Sequence, residues 1–429
     1  MKVYLIYPQP DVLKSHRFGY SLLLLYLAST LRNGGYEISL IDFSFDKFEK
    51  KQFISNLDNE SIIIIEVDAF PLKRSSNLNN AVYLVEEIKN NFPNITIIAL
   101  GKQCTLSKKP FPKADFTILG DPELSILDVV HSILQNKIKK NVIDVKTIDD
   151  LSLLPTPAYD LLTKNQIRGK NVDFDMRLRP SALLETSRGC PGACTFCQRK
   201  GWNDKLLFVP IDKVVTNFKK LLDSGIVNFW IVDENFSSNL SRSKEVLKSL
   251  AKVKNKEIKI SLSSWLRIDK EFLDLAKEAG VSCISFGIES TYDANQIFYK
   301  KKINLNSSIE LLSYADRIGL YLIGNFIIGS PFDTKKILEE QIDLAINSPL
   351  DQVNVKILDY MIGSELFDKL PIEKKDKIHI FASKEEGLAN LSHAELVSIA
   401  KEFQDKFNKT RKDKILRKIL KFGYPYFVE

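Results

Sequence analysis

The chain has 429 residues, 44% of them hydrophobic, and 61 Lys and Arg against 54 Asp and Glu give it a net charge of +7. A chain of this composition and length can bury a large core, and we expect it to divide into two or three domains. No apolar run approaches the ~20 residues that cross a bilayer, and so modest a charge gives no indication of nucleic acid binding.

The first 145 residues alternate between short apolar runs rich in β-branched residues and helical patterns. The apolar runs predict strands at residues 2–7, 37–42, 61–67, 95–100 and 116–119. Helical periodicity lies between several of them, at residues 21–33 and 79–91. This alternation predicts a doubly wound, Rossmann-like α/β domain over residues 1–145. Residues 146–178 contain closely spaced prolines and are interpreted as a linker.

The second half repeats the order helix, glycine, strand. Gly225, Gly280 and Gly319 each follow a helical pattern and precede an apolar strand. Glycine suits the left-handed position that ends a helix, and uniformly apolar strands suit a sheet covered on both faces. About six βα units result, which predicts a partial (βα)6 barrel over residues 179–370. In such folds the chemistry lies at the carboxyl ends of the strands.

A cluster of cysteines follows the first strand of this second repeat, with the spacing CxxxCxxC. Its members are Cys190, Cys194 and Cys197. A structural zinc site normally has four protein ligands, and the two other cysteines, Cys104 and Cys283, are remote in sequence. Three thiolates fit a 4Fe-4S cluster with one open iron. A zinc site and a loop without metal remain alternatives.

This spacing, with aromatic Phe196 before the last cysteine, resembles the radical S-adenosylmethionine (SAM) family. The resemblance implies that the amino and carboxylate groups of SAM chelate the open iron. It also implies that the cluster reduces SAM to methionine and a 5′-deoxyadenosyl radical, which abstracts hydrogen from the substrate. A barrel would then exclude water and competing hydrogen donors. No catalytic residue of the protein itself is assigned.

Polar residues after the next two strands also resemble elements of the radical SAM family. Asp233, Glu234 and Asn235 follow the second strand, where the family places an element that contacts the SAM amino group; a solvated turn is the alternative. Arg267 lies after the third strand and is a candidate for binding the SAM carboxylate or the substrate. A surface ion pair explains Arg267 equally well.

Two further motifs end the later strands. Gly287 and Glu289 belong to the run GIES, which the resemblance places near SAM, although a structural hydrogen bond is the alternative for the glutamate. Gly324, Gly329 and Pro331 belong to the run GNFIIGSP, which resembles the element where the family's backbone approaches the adenine. The glycines would permit that close approach.

A doubly wound domain followed by such a barrel resembles the cobalamin-binding subfamily, whose members include methyltransferases. Residues 19–27 and 120–123 resemble two of its motifs. The DxHxxG cobalamin-ligating motif is absent, and the nearest histidine is His16. Lys102 and Pro122 replace residues that the subfamily usually has in loops facing the corrin, and a lysine side chain or a fixed proline φ could obstruct it. A domain that keeps the fold without the cofactor is therefore the alternative.

The C-terminal region, residues 371–429, is predicted to be helical and basic. Between residues 401 and 421 nine Lys and Arg accompany three acidic residues, with apolar residues interleaved. A basic amphipathic helix could contact an anionic membrane or an acidic or phosphorylated partner. A helix that packs its apolar face on the barrel explains the same pattern.

Together these patterns predict a radical SAM enzyme, most specifically a cobalamin-dependent methyltransferase. A cobalamin-free radical SAM reaction and a non-catalytic iron-sulfur protein are the alternatives. We expect SAM, a 4Fe-4S cluster and cobalamin as cofactors, and flavodoxin or ferredoxin as a one-electron reductant. The cysteine usage and the absence of a signal-like N-terminus predict a cytoplasmic location. A small molecule, a lipid and a peptide all remain open as the substrate.

Overall fold

The computed structural model describes residues 1–11, 20–44, 50–68, 77–168, 181–201, 205–254, 257–301, 303, 305–377 and 379–422. The chain divides into two compact units. One comprises Met1–Leu183 with Ser224–Ile226, and the other comprises Leu184–Asp223 with Val227–Glu429. The finer predicted boundaries, at residues 145, 178 and 370, stay predictions.

Six short strands form the sheet of the first unit. They are β1 (Lys2–Tyr7), β2 (Glu37–Asp42), β3 (Ile62–Glu66), β4 (Thr96–Leu100), β5 (Phe116–Leu119) and β6 (Val142–Asp144). All five pairings are parallel, in the order β2-β1-β3-β4-β5-β6. Strand order therefore reverses beside β1, and open α/β sheets bind ligands at the carboxyl edge near such a point.

Helices cover both faces of this sheet. They are α1 (Leu22–Asn33), α2 (Lys50–Ser55), α3 (Leu78–Asn91), α4 (Lys102–Ser107), α5 (Ile126–Leu134) and α6 (Lys164–Arg168). One apolar cluster joins α3 to one face of the sheet, and a second joins α1 and α5 to the other face. The doubly wound fold predicted from the sequence is confirmed.

A second sheet carries the cysteine motif. Its six strands are β7 (Ser181–Leu184), β10 (Asn228–Ile231), β11 (Lys259–Ser264), β12 (Val281–Glu289), β13 (Tyr321–Ile328) and β14 (Gln352–Ile357). They lie in chain order from β7 to β14, and the four pairings from β10 to β14 are parallel. Within the described residues β7 and β14 do not pair, so the predicted partial barrel is confirmed.

Four short strands form two small sheets. They are β8 (Ser187–Arg188) with β9 (Leu207–Phe208), and β15 (Asp359–Met361) with β16 (His379–Phe381). The helices of this half are α7 (Ile211–Asp223), α8 (Leu240–Val253), α9 (Lys270–Ala279), α10 (Asp293–Phe298), α11 (Leu305–Arg317), α12 (Lys335–Asn347), α13 (Glu365–Asp368) and α14 (His393–Phe422). Gly280 ends α9 at φ 97°, the left-handed conformation that the helix-glycine-strand pattern predicted.

The long helix α14 packs against α12 and β14. Its buried residues include apolar Phe403 and Phe407, but also Arg411 and Lys418. The Arg411 guanidinium donates to four backbone carbonyls of residues 345–350. Some basic residues of α14 are therefore buried and bind groups within the protein. None of the helices within the described residues combines the length and the apolarity needed to cross a bilayer.

Candidate active site

The cysteine loop begins after β7 and is attached to the segment that follows α10. The Thr195 backbone amide donates to the Tyr299 carbonyl at 3.2 Å, and the Thr195 hydroxyl donates to the Phe298 carbonyl at 2.9 Å. The rings of Phe196 and Tyr299 meet edge to face with centroids 5.3 Å apart. Leu366 holds the loop from its other side, because the Leu366 backbone amide donates to the Thr195 carbonyl at 3.0 Å. The loop is therefore fixed from two sides.

All three thiols of the loop lie in a partly desolvated environment. Burial raises the pKa of Cys190 and Cys197, and it raises the pKa of Cys194 to about 11. Arg199 counters this effect at Cys190 and Cys197, because its positive charge favours the thiolate form. The Arg199 guanidinium also donates to the carbonyl of Gly192 within the loop. The loop thus contains its own stabilising cation.

The chemistry of the donor set fits an iron-sulfur cluster. Thiolates are the ligands of such clusters, and three of them on one loop leave one iron open. Among the described residues, no group of three His, Cys, Asp or Glu side chains is arranged to hold a single metal ion.

Asp233 supports the start of the cysteine loop. Its carboxylate accepts hydrogen bonds from the Thr186 amide at 2.8 Å, the Thr186 hydroxyl at 2.5 Å and the Ser187 hydroxyl at 2.6 Å. Burial raises the pKa of Asp233 to about 6. The neighbouring Glu234 is exposed, and its carboxylate accepts from the Gly189 amide at 2.9 Å. These contacts give both carboxylates a role in holding the protein backbone.

Asn235 connects the second strand to the third. Its side-chain oxygen accepts from the Trp265 amide at 2.9 Å, while its buried amide nitrogen has no hydrogen-bond partner among the described residues. The Trp265 indole lies against the cysteine loop, because a Cβ added at Gly192 would lie 2.7 Å from its Cζ2 atom. Arg267 is exposed and stacks on that indole at 5.3 Å. The unpartnered amide makes Asn235 the strongest ligand candidate of this group.

Glu289 forms a buried ion pair with Lys301 beside the cysteine loop. The side chains are only 10% and 7% exposed. Glu289 has φ 65°, a left-handed conformation that is rare for a residue with a side chain. Both charges act on the Cys194 thiol. A Cβ at Gly287 would lie 2.5 Å from the Lys301 Nζ atom, so glycine leaves room for the pair.

A network of buried polar side chains joins the ends of β12 and β13. The amides of Gly329 and Ser330 donate to Asp333 at 2.7 and 3.0 Å. Asn295 donates to both Asp333 and Ser290 at 2.7 and 3.0 Å. Because Ser290 ends the GIES run and Gly329 belongs to GNFIIGSP, the network fixes the two motifs relative to each other.

The remaining predicted residues of GNFIIGSP make packing contacts. A Cβ at Gly324 would lie 2.6 Å from Leu350 Cδ1, so a larger residue at this position would displace that side chain. The Pro331 carbonyl accepts from Asn390 at 2.7 Å. Contact of either residue with an adenine stays a prediction.

Sequence analysis missed several residues that hold this site together. They are Arg199, Asn295, Lys301 and Asp333. Arg199 follows the last cysteine by two positions, and Asp333 follows Pro331 by two. Proximity to the motifs could therefore have identified these two residues from the sequence. Lys301 lies in a run of three lysines, which a sequence pattern does not distinguish from a solvated surface.

The carboxyl edge of the first sheet is a second candidate site. Gly101, at φ 108°, follows β4, and a Cβ there would lie 2.6 Å from the Val67 carbonyl oxygen. Lys102 is exposed, and Gln103 is buried with a side-chain oxygen that has no hydrogen-bond partner among the described residues. His16 lies outside the described residues.

Residues 184–345, which span the cysteine loop and both strand-end motifs, match the family model of the radical SAM superfamily. The chain contains a radical SAM domain. This match confirms the resemblance that the motifs predicted. It places the three cysteines, Glu289 and Gly329 within the recognised domain.

Two curated methyltransferases resemble the chain over most of its length. Cytidylyl-2-hydroxyethylphosphonate methyltransferase of Streptomyces wedmorensis is 24% identical, and the match covers 96% of this chain and 90% of that protein. An uncharacterized methyltransferase of Pyrococcus horikoshii is also 24% identical, covering 86% and 83%. With the domain match, these relatives confirm the expectation of an enzyme.

A solved structure shares the fold. The radical SAM methyltransferase TsrM from Kitasatospora setae, determined with cobalamin and a 4Fe-4S cluster bound, superposes with a TM-score of 0.68 at 13% identity. The match covers 85% of this chain and 74% of that one. It confirms the predicted succession of a doubly wound domain and a partial barrel.

Proposed function

We propose that this enzyme is a cobalamin-dependent radical SAM methyltransferase. One observation carries the proposal: three thiols on a single rigid loop lie beside the buried Glu289–Lys301 pair in a recognised radical SAM domain. The similarity to curated methyltransferases supports methyl transfer as the outcome.

In this proposal Cys190, Cys194 and Cys197 hold a 4Fe-4S cluster that supplies one-electron reduction of SAM. Arg199 offsets the negative charge of the Cys190 and Cys197 thiolates and Lys301 that of Cys194, so that a buried anionic site is less costly. Thr195 keeps the loop against the segment after α10. These residues hold the loop in place before any ligand binds.

SAM would bind next to this loop, at the carboxyl ends of β10 to β13. The unpartnered amide of Asn235 can donate a hydrogen bond to it, and Glu289 can accept one. Asp233 and Glu234 then act indirectly, by holding the backbone of residues 186–189. Arg267, on the exposed face of Trp265, is available for a carboxylate.

Cobalamin would bind at the carboxyl edge of the first sheet and supply a methyl carrier. The side-chain oxygen of Gln103, which has no hydrogen-bond partner among the described residues, can accept a hydrogen bond from a corrin amide. The turn at Gly120 has φ 96°, which glycine adopts without strain. We therefore consider the domain compatible with a bound corrin.

Anaerobic reconstitution with iron, sulfide and hydroxocobalamin, followed by desalting, metal analysis and a visible spectrum, tests this function. Four irons per chain with retained corrin absorption support the methyltransferase. Four irons without corrin support cobalamin-free radical chemistry instead. Cys194→Ala should abolish 5′-deoxyadenosine formation from SAM under dithionite, and its persistence in that variant contradicts the mechanism.

A non-catalytic iron-sulfur protein would retain the irons and cleave no SAM in the same assay. A one-electron donor such as flavodoxin or ferredoxin is part of the proposal and is tested by replacing dithionite with the reduced donor. The cytoplasmic location and the absence of a nucleic acid partner stay predictions. Contact of exposed residues of α14 with an anionic membrane also stays a prediction.

A further inference from the structure

The two faces of the sheet from β10 to β14 differ sharply in chemistry. On β13, Phe326 packs against Phe403 of α14, and Ile328 lies in a cluster with Leu396 of the same helix. Because successive side chains of a strand point to opposite faces, residue 325 belongs to the face away from α14. That second face, here called the polar face, carries hydroxyl and amide groups on four neighbouring strands. They are Ser263, Ser285, Asn325, Gln352 and Asn354, and Lys356 of β14 lies on the same face.

Most of these groups form one hydrogen-bonded chain across three strands. Gln352 donates to Asn354 at 3.1 Å, and Asn354 donates to Asn325 at 3.1 Å. Asn325 in turn donates to the hydroxyl of Ser285 at 2.8 Å. Each member is oriented by its neighbour, so the face is a fixed array and not a set of independent rotamers.

The polar face is also accessible. Its five hydroxyl and amide residues are all intermediate in burial, whereas Phe286, Phe326 and Val353 of the opposite face are fully buried. A side chain in the middle of a parallel sheet normally lies in a dry core. Accessible amides in this position indicate a cavity that takes a ligand.

We propose that the polar face binds the substrate of this enzyme, and that the substrate is a small molecule with both hydrogen-bond donors and acceptors, such as carboxamide or hydroxyl groups. This inference rests on the proposed function, since it names the substrate class of the same barrel. Amides and hydroxyls offer donors and acceptors together and are matched by a ligand that does the same. A hydrocarbon chain would displace water from these groups without replacing their hydrogen bonds.

The test uses two probes with the same heavy-atom framework, benzamide and α-methylstyrene, of which only benzamide forms hydrogen bonds. Iron content and SAM binding are measured first on the reconstituted holoenzyme, so that failure of the proposed function is recognised separately. Probe binding is then measured by ligand-observed NMR without SAM and at saturating SAM. We expect benzamide to bind about tenfold more tightly than α-methylstyrene.

Asn354→Leu should bring the two affinities to within about threefold of each other, because the variant keeps the volume and loses the amide. Asn354→Thr keeps one hydroxyl, suits a strand and should give an intermediate ratio. Val355→Leu, on the opposite face of the same strand, should leave the ratio unchanged. Equal binding of the two probes to the wild type, displacement of benzamide by SAM, or an unchanged ratio in both Asn354 variants overturns the proposal.

Discussion

Glu289 and Lys301 form an ion pair that is almost completely removed from solvent, with side-chain exposures of 10% and 7%. The pair joins the end of β12 to the segment after α10, and the same segment holds the cysteine loop through Tyr299. Breaking a buried pair leaves an uncompensated charge, which costs far more than the pair contributes as a unit. The integrity of the candidate site therefore depends on a contact far outside the cysteine motif.

Lys301→Met should destabilise the chain by about 3 to 5 kcal/mol, because the Glu289 carboxylate would stay buried without a cation. Urea unfolding of the protein without cluster measures this loss. The neighbouring Lys300 is the matched control: its partner is Glu365, it is 50% exposed, and Lys300→Met should cost about 1 kcal/mol or less. The double variant Glu289→Gln/Lys301→Met should recover part of the loss. Equal effects of the two lysine variants would show that the pair is not buried in solution.

Asp233 provides a second test, which separates a backbone role from a ligand role. Asp233→Ala removes the acceptor of three hydrogen bonds and should cost about 3 kcal/mol in urea unfolding, measured without SAM. Glu234→Ala, at an exposed neighbour with one contact, should cost about 1 kcal/mol. A variant Asp233→Ala that keeps full stability and loses only SAM binding would restore the role that the sequence motif suggested.

The basic residues of α14 should differ strongly in their effects on stability. Buried Lys418 contacts Asp351 at 2.5 Å and the Leu320 carbonyl at 2.7 Å, so Lys418→Met should destabilise by about 3 kcal/mol or more. Lys421 is exposed, and Lys421→Met should change the free energy of unfolding by about 0.5 kcal/mol or less. Guanidinium unfolding of both variants measures the difference. If the two losses are similar, α14 does not pack on the barrel through its basic residues.

His379 should make stability depend on pH. A hydrogen bond from its ring to buried Asp359, together with the charge of that carboxylate, raises the pKa of His379 above 6.5 in the folded protein. A raised folded pKa gives a stabilisation that is complete below the unfolded pKa of about 6.5 and is lost as the pH rises through the folded value. Melting temperatures at pH 6 and pH 8 should therefore differ more for the wild type than for His379→Gln. Parallel pH profiles of the two proteins would contradict this role.

Several features followed from the sequence because they depend on local patterns. Short apolar runs rich in β-branched residues and a helix ended by glycine at Gly280 are short-range signals, and the strands and helices lie where these signals predicted. The three cysteines also lie on one continuous segment, so their number and spacing alone favoured a cluster with an open iron.

Other parts of the site were not accessible from the sequence, since they depend on partners distant along the chain. Lys301 looks like one of three solvated lysines until the fold places it on Glu289. The sequence predicts Asp233 as a ligand at a strand end. In the structure its carboxylate accepts hydrogen bonds from Thr186 and Ser187, which precede it by more than forty residues.

The amino-acid sequence by itself determined that this protein has two α/β halves and a three-cysteine loop at the carboxyl end of a barrel strand. Only the tertiary structure decided which charges are internal and which face of the barrel is polar. Lys418, for example, is buried by contact with Asp351, and Asn325 is aligned with Asn354 by strand register. The physical reason is that burial and register are set by packing between segments far apart in the chain, whereas helices, turns and metal-ligand spacing are set by neighbours.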